Sequence, residues 1–200
     1  MNAKKISIFI VLLILADQVL KIWIKTHFTI DQSITVFPDW FQLRFIENNG
    51  AAYGMQITAK GAFDWGKLLL SLFRLTLIGA LVWYLRYLIK SHAPKGILIA
   101  IAMVFAGAVG NMIDSAFYGL IFSASTPATV AQFGGHYAGF LMGKVVDMCY
   151  FPLFQWNSVP DFLRFLVDYN NYFFGPIFNL ADAYISIAVV LLLCQYKYFK

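Results

Sequence analysis

Charge is what this sequence has least of. Only 12% of its 200 residues are Asp, Glu, Lys or Arg, while 60% are hydrophobic. A soluble globular domain carries about 25% charged residues, so half the usual solvating charge is missing. That deficit argues against a soluble chain and for a bilayer, where lipid-facing surface needs no charge. Cysteine is scarce as well, with only Cys149 and Cys194. The topology derived below puts them on opposite sides of a membrane. A disulfide requires Cα atoms within about 7 Å, so none is expected. The three histidines, His27, His92 and His136, lack metal-ligand spacing, and no histidine-built metal site is expected. There is no internal repeat, and no low-complexity tract beyond the small-residue run near Ser123–Thr129.

What the sequence does have is long apolar runs, at residues 6–24, 68–89, 96–117 and 178–196. Each is long enough, at ~1.5 Å per residue, to cross a hydrocarbon layer of ~30 Å. The runs predict an all-α membrane protein of one domain, residues 1–200, with four transmembrane helices and outer loops at 25–67 and 118–177. Lys4 and Lys5 precede the first run, as in a secretory leader. That run carries Asp17 and Lys21 and no small-residue cleavage site, so it is expected to stay as a helix.

Basic residues set the orientation. Segments 1–5, 86–95 and 197–200 hold seven basic residues and no acidic one; the segments 25–67 and 118–178 hold six basic and seven acidic. The positive-inside rule puts both termini in the cytoplasm. The net charge of +5 is then mainly a topology signal, and no nucleic-acid partner is expected. In the first outer loop, Phe41 to Ile46 alternates apolar and polar residues, which suggests a strand and a small extracytoplasmic β-containing cradle. The second outer loop is aromatic, with Phe151, Phe154, Trp156, Phe162, Phe165, Tyr169, Tyr172, Phe173 and Phe174. It is expected at the membrane interface, where amphipathic rings are favoured.

Five charges remain, and all fall within or at the ends of the apolar runs: Asp17, Lys21, Arg74, Asp114 and Asp182. A charge at a helix centre costs at least ~2.5–3.5 kcal/mol, so each needs a partner or a task. Counted from the basic anchors at helical rise, Asp17 lies ~18 Å up, Asp182 ~22 Å, Arg74 ~24 Å and Asp114 ~28 Å. Four helices thus place charge in the same outer half of the bilayer. Asp17 and Lys21 are spaced i, i+4 and can pair. Asn111 and Asp114 share a helix face at i, i+3, as do Asn179 and Asp182. Such groups also serve as interhelical polar glue, or as the binding or relay site of a transporter or lipid-handling protein. Paired carboxylates suffice for peptide hydrolysis: one acts as base on a water while the other protonates the carbonyl oxygen.

Five motifs, in order along the chain, resemble the lipoprotein signal peptidases, or signal peptidase II. They are Asp17-Gln-x-x-Lys21, Asn48-Asn-Gly-Ala-Ala-Tyr53, Gly107-Ala-Val-Gly-Asn111-x-x-Asp114, Val145-Val-Asp147 and Phe178-Asn179-x-Ala181-Asp182. The resemblance implies an aspartic endopeptidase of the bacterial inner membrane, working near the periplasmic face. Its substrates would be diacylglyceryl-modified prolipoproteins, cut just before the lipidated cysteine. The implied catalytic pair is Asp147 and Asp182, with Asp147 in a loop by the reading above. Asn111 and Asn179 would position the pair or the scissile peptide, and Asp114 would hold the third helix. Asp17 and Lys21 would line the substrate site, and Gly107 and Ala181, in the third-helix and last-helix motifs, would help position it. Asn48, Gly50 and Ala51 would form part of the cradle. The resemblance implies no metal or organic cofactor and sensitivity to globomycin-type inhibitors; a monomer surrounded by membrane lipid is expected.

Two departures stand out. The family usually has arginine after the third-helix aspartate, where this chain has Ser115, and Arg74 at similar depth is a candidate replacement. The outer loops are also long, with 32 residues between Asp114 and Asp147 and 34 between Asp147 and Asp182. Insertions of this kind cost little loop-closure entropy.

Overall fold

A computed structural model of the chain describes residues 2–38, 40–48, 64–167 and 170–195, apart from the Phe165 side chain. Among these residues, three helices are long and apolar enough to cross a membrane: α1 (Ala3–His27), α2 (Trp65–Lys90) and α3 (Lys95–Ile121). A fourth apolar helix, α4 (Leu180–Cys194), has 15 described residues. Polar residues cap three of the four helices and shift their starts relative to the apolar runs. The Asn2 side chain accepts from the Lys5 amide at 3.0 Å, and Asp64 accepts from the Lys67 amide at 2.9 Å. Asn179 caps α4 and moves its start past Phe178 to Leu180. Each cap satisfies an amide that the helix geometry leaves without a partner.

Helix α3 is central. Of its most apolar stretch 61% is buried, against 22% in α1 and 11% in α2. At one end of the bundle, Ile6 and Ile10 of α1 and Leu85 and Leu88 of α2 pack on Ile97, Leu98 and Ile101 of α3. The α3–α4 contact is closer and uses small residues, Ala100 against Ala188. At Gly107 any Cβ would come within 2.4 Å of the Ala181 carbonyl oxygen, so only glycine allows α4 to approach there.

At the other end sits a three-stranded antiparallel sheet in the order β1 (Ser33–Phe37), β2 (Phe41–Asn48), β3 (Val145–Tyr150). The alternating stretch predicted as a strand is its middle strand, in register Glu47 to Val146 and Asn48 to Val145 against β3. Phe45, Val146, Met148 and Cys149 of the sheet pack on Ile24 and Phe28 of α1 and on Tyr118 and Phe122 from the end of α3 and just past it.

The reading of Asp147 as a loop residue is corrected here, since it lies within β3. All six residues of β3 are buried, so its sequence shows no alternation of apolar and polar positions. Near its end α3 contains a π-turn, Asp114–Tyr118. Such a turn re-aims the helix and frees carbonyls, which here includes Ser115, whose oxygen accepts from the Gly143 amide at 2.8 Å. Gly50 and Ala51, the side chains of Phe165 and Tyr169, and the basic anchors Lys197 and Lys200 lie outside the described residues.

Candidate active site

The site forms where the sheet meets the helix ends. Edge pairing brings its pieces together. The Cys149 amide donates to the Phe178 carbonyl at 2.7 Å, and the Phe178 amide donates back at 3.1 Å. This bridge holds the start of α4 beside β3, so Asn179 and Asp182 arrive next to Asp147.

Asn179 links the two aspartates expected as a pair. Its side-chain Nδ2 donates to Asp147 Oδ1 at 2.6 Å. Its Oδ1 accepts from the Asp182 amide at 2.9 Å, and its own amide donates to Asp182 Oδ2 at 3.5 Å, which completes a capping box. The same Nδ2 also donates to Asn111 Oδ1 at 3.0 Å, while Asn111 Nδ2 donates to Asp182 Oδ1 at 2.8 Å. The other oxygen of Asp147 accepts from the Asn48 side chain. Asn111 and Asn179 thus link the two carboxylates, and Asn48 adds a second hold on Asp147. Asp147 is almost fully buried and Asp182 is half-buried. Burial, then the neighbouring charge of Asp182, pushes the Asp147 carboxyl up to about 8, because desolvation and a like charge both disfavour ionisation.

Behind this pair lies a second group. Lys21 is fully buried and reaches Asp114 Oδ2 at 2.8 Å and Asp17 Oδ2 at 3.1 Å. It also donates to Asn111 Oδ1 at 2.9 Å. Asp17 Oδ1 accepts from the Ala181 amide at 3.0 Å, in the first turn of α4. Asp114 accepts from the Val146 amide at 3.2 Å and from Gln18 Nε2 at 3.0 Å. This group ties α1, α3, α4 and β3 together. The Gly107–Ala181 contact described above sets the helix spacing on which it depends.

The structure thus brings together Asp17, Lys21, Asn48, Gly107, Asn111, Asp114, Asp147, Asn179, Ala181 and Asp182. Arg74 is half-buried on α2, and the carboxylates of Asp182, Asp114 and Asp147 are among the charges that act on it. Ser115 is buried and donates to the Asn111 carbonyl at 3.1 Å, so it cannot take an arginine's place as a charge.

Other chemistry finds little support in this geometry. Burial pushes the Cys149 thiol up to about 11, which leaves it a poor nucleophile at neutral pH. Among the described residues, no three His, Cys, Asp or Glu side chains are arranged to hold a metal ion. Sequence reasoning missed one buried ion pair near the site. Lys25 contacts Glu47, and both side chains are covered by the segment after α3. The signal that could have found it is the place of Glu47 next to Asn48 in the sequence.

Comparison with known proteins places these features. The family model described as signal peptidase (SPase) II matches residues 9–198. The lipoprotein signal peptidase of Porphyromonas gingivalis is 42% identical over 198 residues, covering 98% of this chain and 84% of that one. That of Amoebophilus asiaticus is 33% identical over 187 residues, covering 90% and 72%. A bacterial membrane enzyme solved by the in meso method at 1.9 Å superposes with a TM-score of 0.63 at 24% identity, covering 97% of this chain and 93% of that chain. At that identity the likeness speaks to the fold. A second such structure, at 2.3 Å, gives 0.62 at 25% identity, covering 98% and 89%.

Proposed function

The chain belongs to the signal peptidase II family, and from that premise we propose that it removes signal peptides from diacylglyceryl-modified prolipoproteins by aspartic proteolysis, with Asp147 and Asp182 as the catalytic pair. The observation that carries the assignment of residues is the double grip of Asn179 on both carboxyl groups. A water between them loses a proton to Asp182 and attacks the scissile carbonyl carbon. Asp147, which keeps its proton near neutral pH, donates it to the carbonyl oxygen. Collapse of the resulting gem-diol breaks the C–N bond: one hydroxyl returns its proton to Asp147 as the new carboxyl forms, and the proton held by Asp182 passes to the leaving amine of the lipidated cysteine.

Asn111 and Asn179 fix the pair, and Asn48 holds Asp147 from the side of β2. Asp17, Lys21 and Asp114 hold the helices around the site, with Asp17 and Lys21 lining its inner wall. Arg74 stands in for the arginine that other family members carry where this chain has Ser115. Four helices span the membrane with both termini in the cytoplasm, and the sheet is an extracytoplasmic cradle at the periplasmic face. That placement suits the substrate, since a signal helix anchored in lipid presents its cleavage site at the outer boundary. A monomer suffices, and globomycin would compete for the same site.

D147N and D182N test this reading. Each alone should lower prolipoprotein cleavage in membranes by about 10²- to 10⁴-fold, the range of a general acid or base, while the protein still accumulates and folds. Retained cleavage in either variant removes the mechanism.

A further inference from the structure

The Lys25–Glu47 pair lies outside the machinery described so far. Lys25 sits one turn beyond Lys21 on the same face of α1 and is fully buried. Its ammonium contacts the Glu47 carboxylate, donates to Ser125 Oγ at 3.1 Å, and lies 4.9 Å from the Tyr137 ring centroid and 5.5 Å from that of Phe122. Ser125 in turn donates to Glu47 Oε1 at 3.1 Å. Lys144 approaches Glu47 Oε2 at 3.5 Å, and its amide donates to the Tyr137 hydroxyl at 2.8 Å. Phe122, Ser125, Tyr137 and Lys144 all belong to the long segment between Asp114 and Asp147, so that insertion closes over the pair.

Strand geometry connects the pair to the active site. Side chains alternate along β2, and the register sets Ile46 opposite Asp147, Glu47 opposite Val146 and Asn48 opposite Val145. Asn48 therefore points to the face that carries Asp147, where its amide binds the carboxyl. Glu47 points to the opposite face, where Lys25 holds it. We propose that the Lys25–Glu47 pair, closed by Ser125 and the rest of the insertion, is a positioning clamp that holds the end of β2 so that Asn48 stays on Asp147. It rests on the reading of Asp147 as catalytic, and it gives the insertion a role in the cleavage reaction.

Steady-state cleavage of a diacylglyceryl-modified prolipoprotein by the full-length protein in detergent tests the clamp. E47Q should lower kcat about tenfold to a hundredfold while KM changes less than about twofold, as displacement of a catalytic group does. Removing one partner strands a buried charge, whereas K25M/E47M removes both and should recover thermal stability. If the pair only stabilises the fold, kcat recovers too, and the proposal is overturned. If it positions Asn48, kcat stays low, and adding N48A costs little more than the clamp variant alone, because the two act as one unit.

The pH profile offers a further readout. Loss of the Asn48 bond to the Asp147 carboxylate moves the alkaline limb upward, against the unchanged influence of Asp182 and Asn179 on α4, Lys21 on α1, Asp114 on α3 and Arg74 on α2. Should the paired variant not accumulate, S125A decides. It keeps every charge, and its smaller loss of kcat must again be non-additive with N48A; additive losses overturn the clamp. The outcome is separable from the proposed function, because active D147N would sink both, while additivity in an Asp147-dependent enzyme sinks the clamp alone.

Discussion

Two groups of carboxylates meet through Asn111 and are built on opposite principles. In the first, Asp17 and Asp114 close on Lys21, and the remaining oxygen sites take the Ala181 and Val146 amides and Gln18. In the second, Asp147 and Asp182 are linked through the neutral side chains of Asn111 and Asn179, with Asn48 also on Asp147, and among the described residues neither carboxylate forms an ion pair. On the proposed mechanism, one buried polar region is both anchor and reagent. A cation among carboxylates compensates charge and locks helices. Amides hold geometry without compensating charge, so a proton is retained where chemistry can use it.

This contrast can be broken from either side. The largest effect should come from K21M, which leaves Asp17 and Asp114 without their cation. Breaking a buried pair in this way costs about 3–5 kcal/mol. The variant should lose thermal stability in detergent and accumulate poorly, whereas D147N should keep its stability and lose activity. Equal stability of K21M and wild type would remove the distinction between anchor and reagent.

R74M probes whether the second group depends on a more distant cation. Its expected outcome is a fall in cleavage of about tenfold, the scale of one lost electrostatic contact at the reacting groups (roughly 1.4 kcal/mol), with normal accumulation. Full activity in membranes would remove Arg74 from the site. The smallest effect is a titration. Because the Asp147 carboxyl is pushed up to about 8, its proton-donating form dominates below that pH and is lost above it. Activity should be halved near pH 8 and fall further as the pH rises. The same shift has a sign for stability. The favourable contribution of the protonated group is full below its ordinary 3.8 and is lost as pH rises toward about 8, since the unfolded chain there binds fewer protons. In D147N that part of the pH dependence should vanish from melting curves taken between those limits.

Much of the site could be read without coordinates, and the parts that could not share a cause. Asp17, Lys21, Asp114 and Asp182 stood out because charge within an apolar run is costly. Their helical spacing also announced which amides would share their faces. Asp147 came only through family resemblance, because a strand buried on both faces looks like any short apolar run. The Lys25–Glu47 pair escaped notice altogether, since neither residue lies in the middle of an apolar stretch. In the fold, the helices were legible from the length of their apolar runs and β2 from its alternation. The edge strands β1 and β3 were not, one being short and exposed and the other uniformly buried.

The sequence by itself determined that this chain needs a lipid environment and where its helices run. It also marked carboxylates and amides that share helix faces in the same half of the apolar runs, because hydropathy and helical spacing are properties of neighbouring residues. Only the tertiary structure decided that Asn179 grips both Asp147 and Asp182, that Lys21 serves Asp17 and Asp114 together, and that an insertion seals Lys25 onto Glu47. Those contacts join residues far apart along the chain, and directional hydrogen bonds form only once packing has set the distance and angle between the elements that carry them.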